Sequence, residues 1–254
     1  MGKLTETLTL AQQRGQALGL PYAGALTPQE AGDLLRLADA QQRTGNTAGY
    51  IVSLEKLLLN YPKKDYWNAF LSRLPRKSGF APRFELDVLR LRLATGTLSK
   101  TEDFMEMAQL ALQAGLPAEA RRIADLGFKA GALGTGAEAD RHKRLRELAT
   151  KQEGEAKASL ASLQTEGEAA KEGDLLVRVG YAWVSLGEAD KGIDLIQKGI
   201  AKGNLKRPED AKLRLGMAQL QAPKTKAAGV QTLRGVKGTE GAGEIARLWT
   251  IVGG

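Results

Sequence analysis

Few side chains in this 254-residue chain are of a kind that does covalent chemistry. Cysteine is absent, which excludes a thiolate nucleophile, a thiolate metal centre and any disulfide. The single histidine, His142, excludes a multi-histidine metal site. As a lone general base it would need a carboxylate to orient it and an electrophile within reach. Its neighbours in DRHKRLRE, with Glu138 and Asp140, are ordinary helix-surface residues, so the expectation is a solvated histidine with no role. Two adjacent carboxylate pairs, Glu102/Asp103 and Glu209/Asp210, could in principle divide acid and base work. Each pair, however, directly follows a helix-starting residue, Thr101 or Pro208, where negative charge offsets the N-terminal end of the helix dipole. Gly134-Thr135-Gly136 lacks the preceding strand that a dinucleotide loop requires. No phosphate-binding loop, nucleophile elbow or zinc-protease helix is present. The chain therefore reads as a non-enzyme, with no catalytic residue, cofactor or metal.

The net charge is +8, from 37 Lys and Arg against 29 Asp and Glu. Basic clusters lie at 73–77 (RLPRK), 121–122 (RR) and 141–146 (RHKRLR). A groove for single-stranded nucleic acid needs aromatic platforms between such charges. None lies between 129 and 180, and the two signs are mixed along the chain, so nucleic acid is the less favoured partner. No run of apolar residues is long enough for a transmembrane helix. The opening residues, MGKLTETLTLAQQRG, have no apolar core of a signal peptide. They read as the start of a mature form or a fragment.

Helices must position whatever binds here. Breakers such as RTGN (43–46), NYP (60–62), AGLP (114–117), SLGE (185–188) and KRP (206–208) punctuate the chain at short intervals. Between them apolar residues recur at three- and four-residue spacing, as in Ile51, Leu54, Leu57, Leu58 and in Ile193, Ile196, Ile200. No alternating apolar–polar run is present, so no strand is expected. Glycine inside such helices costs about 1 kcal/mol relative to alanine, yet Gly180, Gly192 and Gly199 stand inside two of them.

Those glycines belong to a spacing that recurs. Counting from Gly187, small residues lie seven before (Gly180), five after (Gly192) and twelve after (Gly199). Gly115 has Ala108, Ala120 and Gly127 at the same offsets, and Pro223 has Gly216, Ala228 and Gly235. Gly45 has Ala38, then Tyr50 and Leu57 as exceptions. An apolar residue follows the last position each time: Leu58, Phe128, Ile200, Val236. This pattern resembles the tetratricopeptide repeat (TPR), a 34-residue helix–turn–helix unit. The family's small eighth and twentieth positions correspond to Gly180 and Gly192, and its late proline to Pro62. The resemblance implies an all-α, right-handed superhelix (an α-solenoid) of antiparallel helix pairs, whose backbones cross where both carry almost no side chain.

In the family the second, fifth, ninth and twelfth positions of the first helix face a concave groove. Here these are Glu102, Met105, Gln109 and Leu112, then Asp174, Val177, Tyr181 and Val184, then Asp210, Leu213, Met217 and Leu220. Packing on an adjacent helix is the alternative role for the same residues. Basic side chains are missing from these sets, which argues against a clamp for a peptide's terminal carboxylate. Residues 54–67, 86–98, 106–120 and 200–222 are further similar to the C-terminal part of exported, uncharacterised TPR proteins of Gram-negative bacteria. That similarity implies a periplasmic location, with a cytoplasmic one as the alternative.

The expected organisation has three parts. Residues 1–135 form TPR-like repeats, with a degenerate unit at 63–98 whose inward face is Trp67, Phe70 and Leu71. Residues 136–172 form a long charged connecting helix or hairpin. Residues 173–254 form further repeats with a capping helix around Glu244–Val252, and another cap is expected around Thr5–Leu18. The expected function is a scaffold that binds a protein or peptide in its groove. The alternatives are a helical-repeat enzyme or module acting on an envelope polymer, which requires carboxylates at the bottom of a cleft, and nucleic-acid binding through 141–146.

Overall fold

The structure, a computed structural model, describes residues 26–253. The cap expected around Thr5–Leu18 lies outside the described residues. The chain divides between Ser78 and Gly79 into two compact units. This division falls inside the segment 63–98, not after residue 135. The first unit contains α1 (Pro28–Arg43), α2 (Thr47–Asn60), α3 (Lys64–Leu71) and a 3-10 turn at Leu74–Arg76. The second begins with a 3-10 turn at Pro82–Phe84 and continues through α4 (Glu85–Ala94), α5 (Thr101–Gln113), α6 (Pro117–Lys129) and α7 (Ala139–Ala169). It then runs through α8 (Asp174–Ser185), α9 (Ala189–Lys202), α10 (Pro208–Gln221), a 3-10 turn at Pro223–Thr225, α11 (Lys226–Arg234) and α12 (Ala242–Gly253). No strand occurs among the described residues. The fold is all-α, with antiparallel helices packed pairwise in chain order.

Local chemistry sets the helix ends. Thr27 caps α1: its hydroxyl accepts from the Glu30 N–H at 3.2 Å, and the Glu30 carboxylate accepts from the Thr27 N–H at 2.8 Å. The tight turns after α1, α5 and α8 share one construction. Gly45, Gly115 and Gly187 take φ of +72°, +72° and +92°. Each donates to the carbonyl three residues back, and the next residue donates to the carbonyl five residues back, as from Leu116 to Ala111 at 2.9 Å and from Glu188 to Trp183 at 3.0 Å. Only glycine enters this left-handed conformation without a Cβ penalty. The turn at Pro223 is different. A 3-10 segment replaces the glycine turn and shifts the returning helix by one residue.

The crossings follow the small residues. A methyl group on Gly180 would stand 2.7 Å from the Gly192 carbonyl oxygen, and one on Gly192 would stand 2.5 Å from the Gly180 carbonyl oxygen. The two backbones are therefore in direct contact, and no side chain fits between them. Gly199 meets the start of α8, where a Cβ would lie 2.7 Å from the Gly173 oxygen. In the last hairpin Gly216 faces Gly229, whose Cβ would lie 3.0 Å from the Gly216 oxygen. The expected partner, Ala228, is exposed, and Gly235 merely ends α11. The one-residue shift at Pro223 accounts for both differences. Ala108 and Ala120 are fully buried in one core cluster. In the first unit Trp67, Phe70 and Leu71 are buried, as their spacing requires.

Residues 139–169 form one uninterrupted helix rather than a hairpin. Its first half places Leu145 and Ala149 in a core with Leu86, Phe104, Met107 and Ile123. Its second half places Leu160 in another core with Leu176, Val179 and Leu195. Its exposed charged residues pair along the surface, as Lys143 does with Asp140 at 3.4 Å, while the buried Glu153 joins Arg121 of α6 to Lys157. His142 is buried, at 3% exposure, and its Nδ1 accepts from the Gly134 N–H at 3.1 Å. It is thus a satisfied core histidine that ties the 131–136 loop to α7. The solvated position expected for it is wrong because the 131–136 loop, anchored by the buried Leu133, lies against the first turn of α7 and donates to His142.

The second unit closes on itself. Its last helix, α12, packs on α4 as well as on α10 and α11. The Ala81 N–H donates to the Glu240 carbonyl at 2.8 Å, and Gly241 sits against Phe80 and Phe84 with no room for a side chain. Arg83 reaches both Asp210, at 2.9 Å, and Glu240, at 2.7 Å.

Candidate functional site

Because α4, α8 and α10 face one another across the closed unit, they enclose a cleft of about 870 Å³. One wall carries Arg83 from the 3-10 turn at Pro82–Phe84, then Glu85 and Leu86 from the start of α4. The end of α5 and its turn add Leu110, Gln113, Ala114 and Leu116. Opposite them stand Asp174, Val177, Arg178 and Tyr181 from α8, then Lys206 and Arg207 from the loop before α10, then Asp210, Ala211 and Arg214 from α10 itself. This size lies within the range of sites that take small molecules or a few residues of peptide.

The floor is an ionic chain that joins three helices. Arg90 of α4 donates to Glu119 of α6 through Nε at 2.7 Å and Nη2 at 2.5 Å, and to Asp87 through Nη1 at 2.7 Å. Arg214 of α10 donates to both oxygens of Asp87, with Nη2 to Oδ2 at 2.7 Å. Both forks are bidentate, the geometry in which arginine binds carboxylate best. Tyr181 of α8 lies beside the two guanidiniums, each 5.3 Å from its ring centroid. Asp87 is fully buried, Glu119 and Arg90 nearly so, and Arg214 retains 21% side-chain exposure towards the cleft. Burial pushes the Asp87 carboxyl up, but the Arg214 and Arg90 guanidiniums outweigh burial and hold it below its ordinary value. Burial likewise opposes ionisation of Glu119, and Arg90 overcomes it. Burial raises the Tyr181 phenol above its ordinary value against the pull of both cations. Both carboxylates are therefore anions locked into forks, and neither is a proton donor near neutral pH.

Arg90 and Tyr181 also line a second cavity of about 300 Å³, together with Met217, Leu220 and Trp249. These two side chains form the partition between the cavities.

The residues assigned to a groove by repeat position fall into distinct places. Asp174, Val177, Tyr181 and Asp210 line the large cleft. Asp174 accepts from the Lys206 N–H at 3.3 Å, and Asp210 is bound by Arg83. Met217 faces the smaller cavity, where its sulfur lies 3.5 Å from Arg214 Nη1. Leu213 is fully buried core. Met105 is buried in the core cluster with Leu86 and Leu89, and Leu112 packs on that cluster. Gln109 is half-buried and lines none of these cavities. The reason is α4: it lies over the face of α5 that a regular repeat would leave open, so α5 presents Leu110 and Gln113 instead.

Repeat position found the acids Asp174 and Asp210 but missed every basic residue of the cleft and the buried acids Asp87 and Glu119. Arg178 and Arg214 each precede a crossing glycine by two residues, Gly180 and Gly216, a regularity visible in the sequence. Asp87 and Arg90 share a helix face by their spacing of three. Their joining to Glu119 and Arg214 is tertiary and leaves no local signal. The 141–146 cluster, meanwhile, is largely neutralised. Arg141 pairs with Glu138 and Lys143 with Asp140, both at 3.4 Å, and Arg146 pairs with Asp125 at 3.5 Å. Among the described residues no helix is long and apolar enough to cross a membrane, and no His/Asp/Glu group is arranged to hold a metal.

No family model matches the chain, and no curated protein matches it. Among solved structures, a tetratricopeptide repeat protein from Parabacteroides merdae aligns over 97% of this chain and 92% of its own, with 14% identity and a TM-score of 0.33. A likeness that weak carries no argument, and the fold description stands on the helix pairing itself.

Proposed function

We propose that this chain is a non-enzymatic helical-repeat scaffold that holds a protein or peptide segment in the cleft of its second unit. The observation that carries this reading is the cleft's construction. Its walls are built from helix ends and turns, while the carboxylates beneath its floor, Asp87 and Glu119, are fixed by arginine forks. A polymer-cleaving enzyme would need one inward carboxyl kept protonated at working pH. Asp87 and Glu119, beneath the floor, are held in the opposite state. Of the lining acids, Asp210 is paired with Arg83 and Asp174 accepts from the Lys206 N–H, which leaves Glu85 as the lining carboxylate that alternative would have to use. Pairing of the 141–146 cations with nearby acids disfavours nucleic-acid binding there. A periplasmic location belongs to the same proposal and rests on the resemblance to exported proteins; fractionation of the native cell, with the chain found only in the cytoplasm, would refute it.

Gln113 and Ala114 are exposed on the lip of the cleft. Replacing both with tryptophan fills the cleft without changing its charge. Partners retained from the native envelope fraction by the wild-type chain are expected to be lost by this double variant. Retention of every partner by the filled variant would remove the cleft from the account.

A further inference from the structure

We infer that the segment received by the cleft is acidic, an Asp/Glu-rich peptide held by the wall of Arg178, Lys206 and Arg207. This rests on the cleft reading above and adds the chemistry of the partner. Six cationic side chains line the cleft. Three of them are engaged: Arg90 with Glu119, Arg214 with Asp87, and Arg83 with Asp210 and Glu240. The side chains of Arg178, Lys206 and Arg207 make no ion pair or hydrogen bond among the described residues, and all three are exposed. They come from adjacent elements, α8 and the loop that leads into α10, and so stand on one side of the cleft.

Two acids remain in the lining, Glu85 and Asp174. Both lie in the first turn of a helix, where the N-terminal end of the dipole already offsets their charge. Asp174 is further occupied by the Lys206 N–H. The unpaired charge offered to a partner is therefore positive. Carboxylates suit two free guanidiniums that can bind them bidentately. Between the charges the lining is aliphatic, with Leu110, Leu116 and Val177, which matches a peptide that mixes acidic and apolar side chains. A nucleic-acid strand would need an open aromatic face for its bases. The cleft has one aromatic, Tyr181, and two guanidiniums already lie against its ring.

The test uses the full chain and fluorescence anisotropy of a short labelled peptide of alternating Glu and Leu. Controls are its Gln-Leu counterpart and a single-stranded oligonucleotide of equal charge. The acidic peptide is expected to bind at least about tenfold more tightly than either control, and less tightly as salt rises. The variant Arg178→Glu/Lys206→Glu/Arg207→Glu is expected to lose about tenfold or more in affinity with an unchanged melting curve, since all three residues are exposed. Absence of binding, equal binding of the Gln-Leu peptide or of the oligonucleotide, or full affinity in the charge-reversed variant would overturn the inference. The filled variant, Gln113→Trp/Ala114→Trp, separates the two levels. If both peptides bind equally and filling abolishes both, the cleft remains the binding site and only the acidic assignment falls. If filling leaves binding intact, the cleft reading falls with it.

Discussion

A single methyl group decides the contact between α8 and α9. Gly192 is flanked by the Gly180 carbonyl oxygen and the Val184 side chain, and a Cβ there would have to push the two backbones apart. Alanine would add about 1 kcal/mol of helix propensity. Overpacking a contact made of backbone atoms costs about 1–3 kcal/mol, so the clash outweighs the gain. Gly192→Ala is therefore expected to lower stability, by up to about 2 kcal/mol, read from its urea midpoint. Gly154, inside α7, has nothing within 4 Å of its Cβ position. Gly154→Ala should raise stability by about 0.5–1 kcal/mol in the same assay. Equal effects at the two positions would show that composition, rather than contact, governs these glycines. The sequence made Gly180 and Gly192 legible because their offsets from Gly187 recur around Gly115. The partner of Gly216 was not legible, since the 3-10 turn at Pro223 adds a residue that no offset announces.

At the level of elements, α7 is the member that couples two cores. Its apolar content is sparse, and the same residues could have formed a hairpin; burial of Leu145 on one side and Leu160 on the other keeps it straight. Glu155 lies between those two positions, exposed, with a long surface pair to Lys151 at 3.9 Å. Glu155→Pro removes an intrahelical hydrogen bond and clashes with the preceding turn, at a cost of about 3 kcal/mol or more. The expected outcome is two resolved thermal transitions, one for each core, where the native chain shows a more cooperative one. A single transition shifted to lower temperature would mean that the cores are coupled elsewhere, through α4 and α10.

For the second unit as a whole, the link from Asp87 to Arg214 joins helices far apart in sequence and helps to close the unit. Removing one partner of a buried ion pair strands the other, at a cost of about 3–5 kcal/mol, and Asp87→Asn is expected to lose that much. Its pH dependence has a definite sign. The folded-state pKa of Asp87 lies below its ordinary value of 3.8, so the unfolded chain binds the proton first as pH falls. The pair's contribution is complete above that ordinary value and is lost as pH drops through the depressed one. Glu119, Glu153 and Glu209 are depressed too and act in the same direction. Urea titrations between about pH 6 and pH 3 should show stability falling with acid, with a shallower fall in Asp87→Asn. An unchanged slope would mean that Asp87 is not ionised in the fold.

What the amino-acid sequence determined alone is what depends on near neighbours along the chain: the helices, from three- and four-residue apolar spacing; the tight turns, from glycines that accept a positive φ; and the crossing at Gly180 and Gly192, from their fixed distance to such a turn. Tertiary structure decided what depends on groups distant in sequence. It laid α4 over α5 and so buried Met105, and it brought α12 back to α4. It assembled Glu119, Arg90, Asp87 and Arg214 into the floor of a cleft. Long-range ion pairs of this kind have no period and no fixed spacing, so only the packing of helices around a shared core could reveal which charges meet and which are left to face a partner.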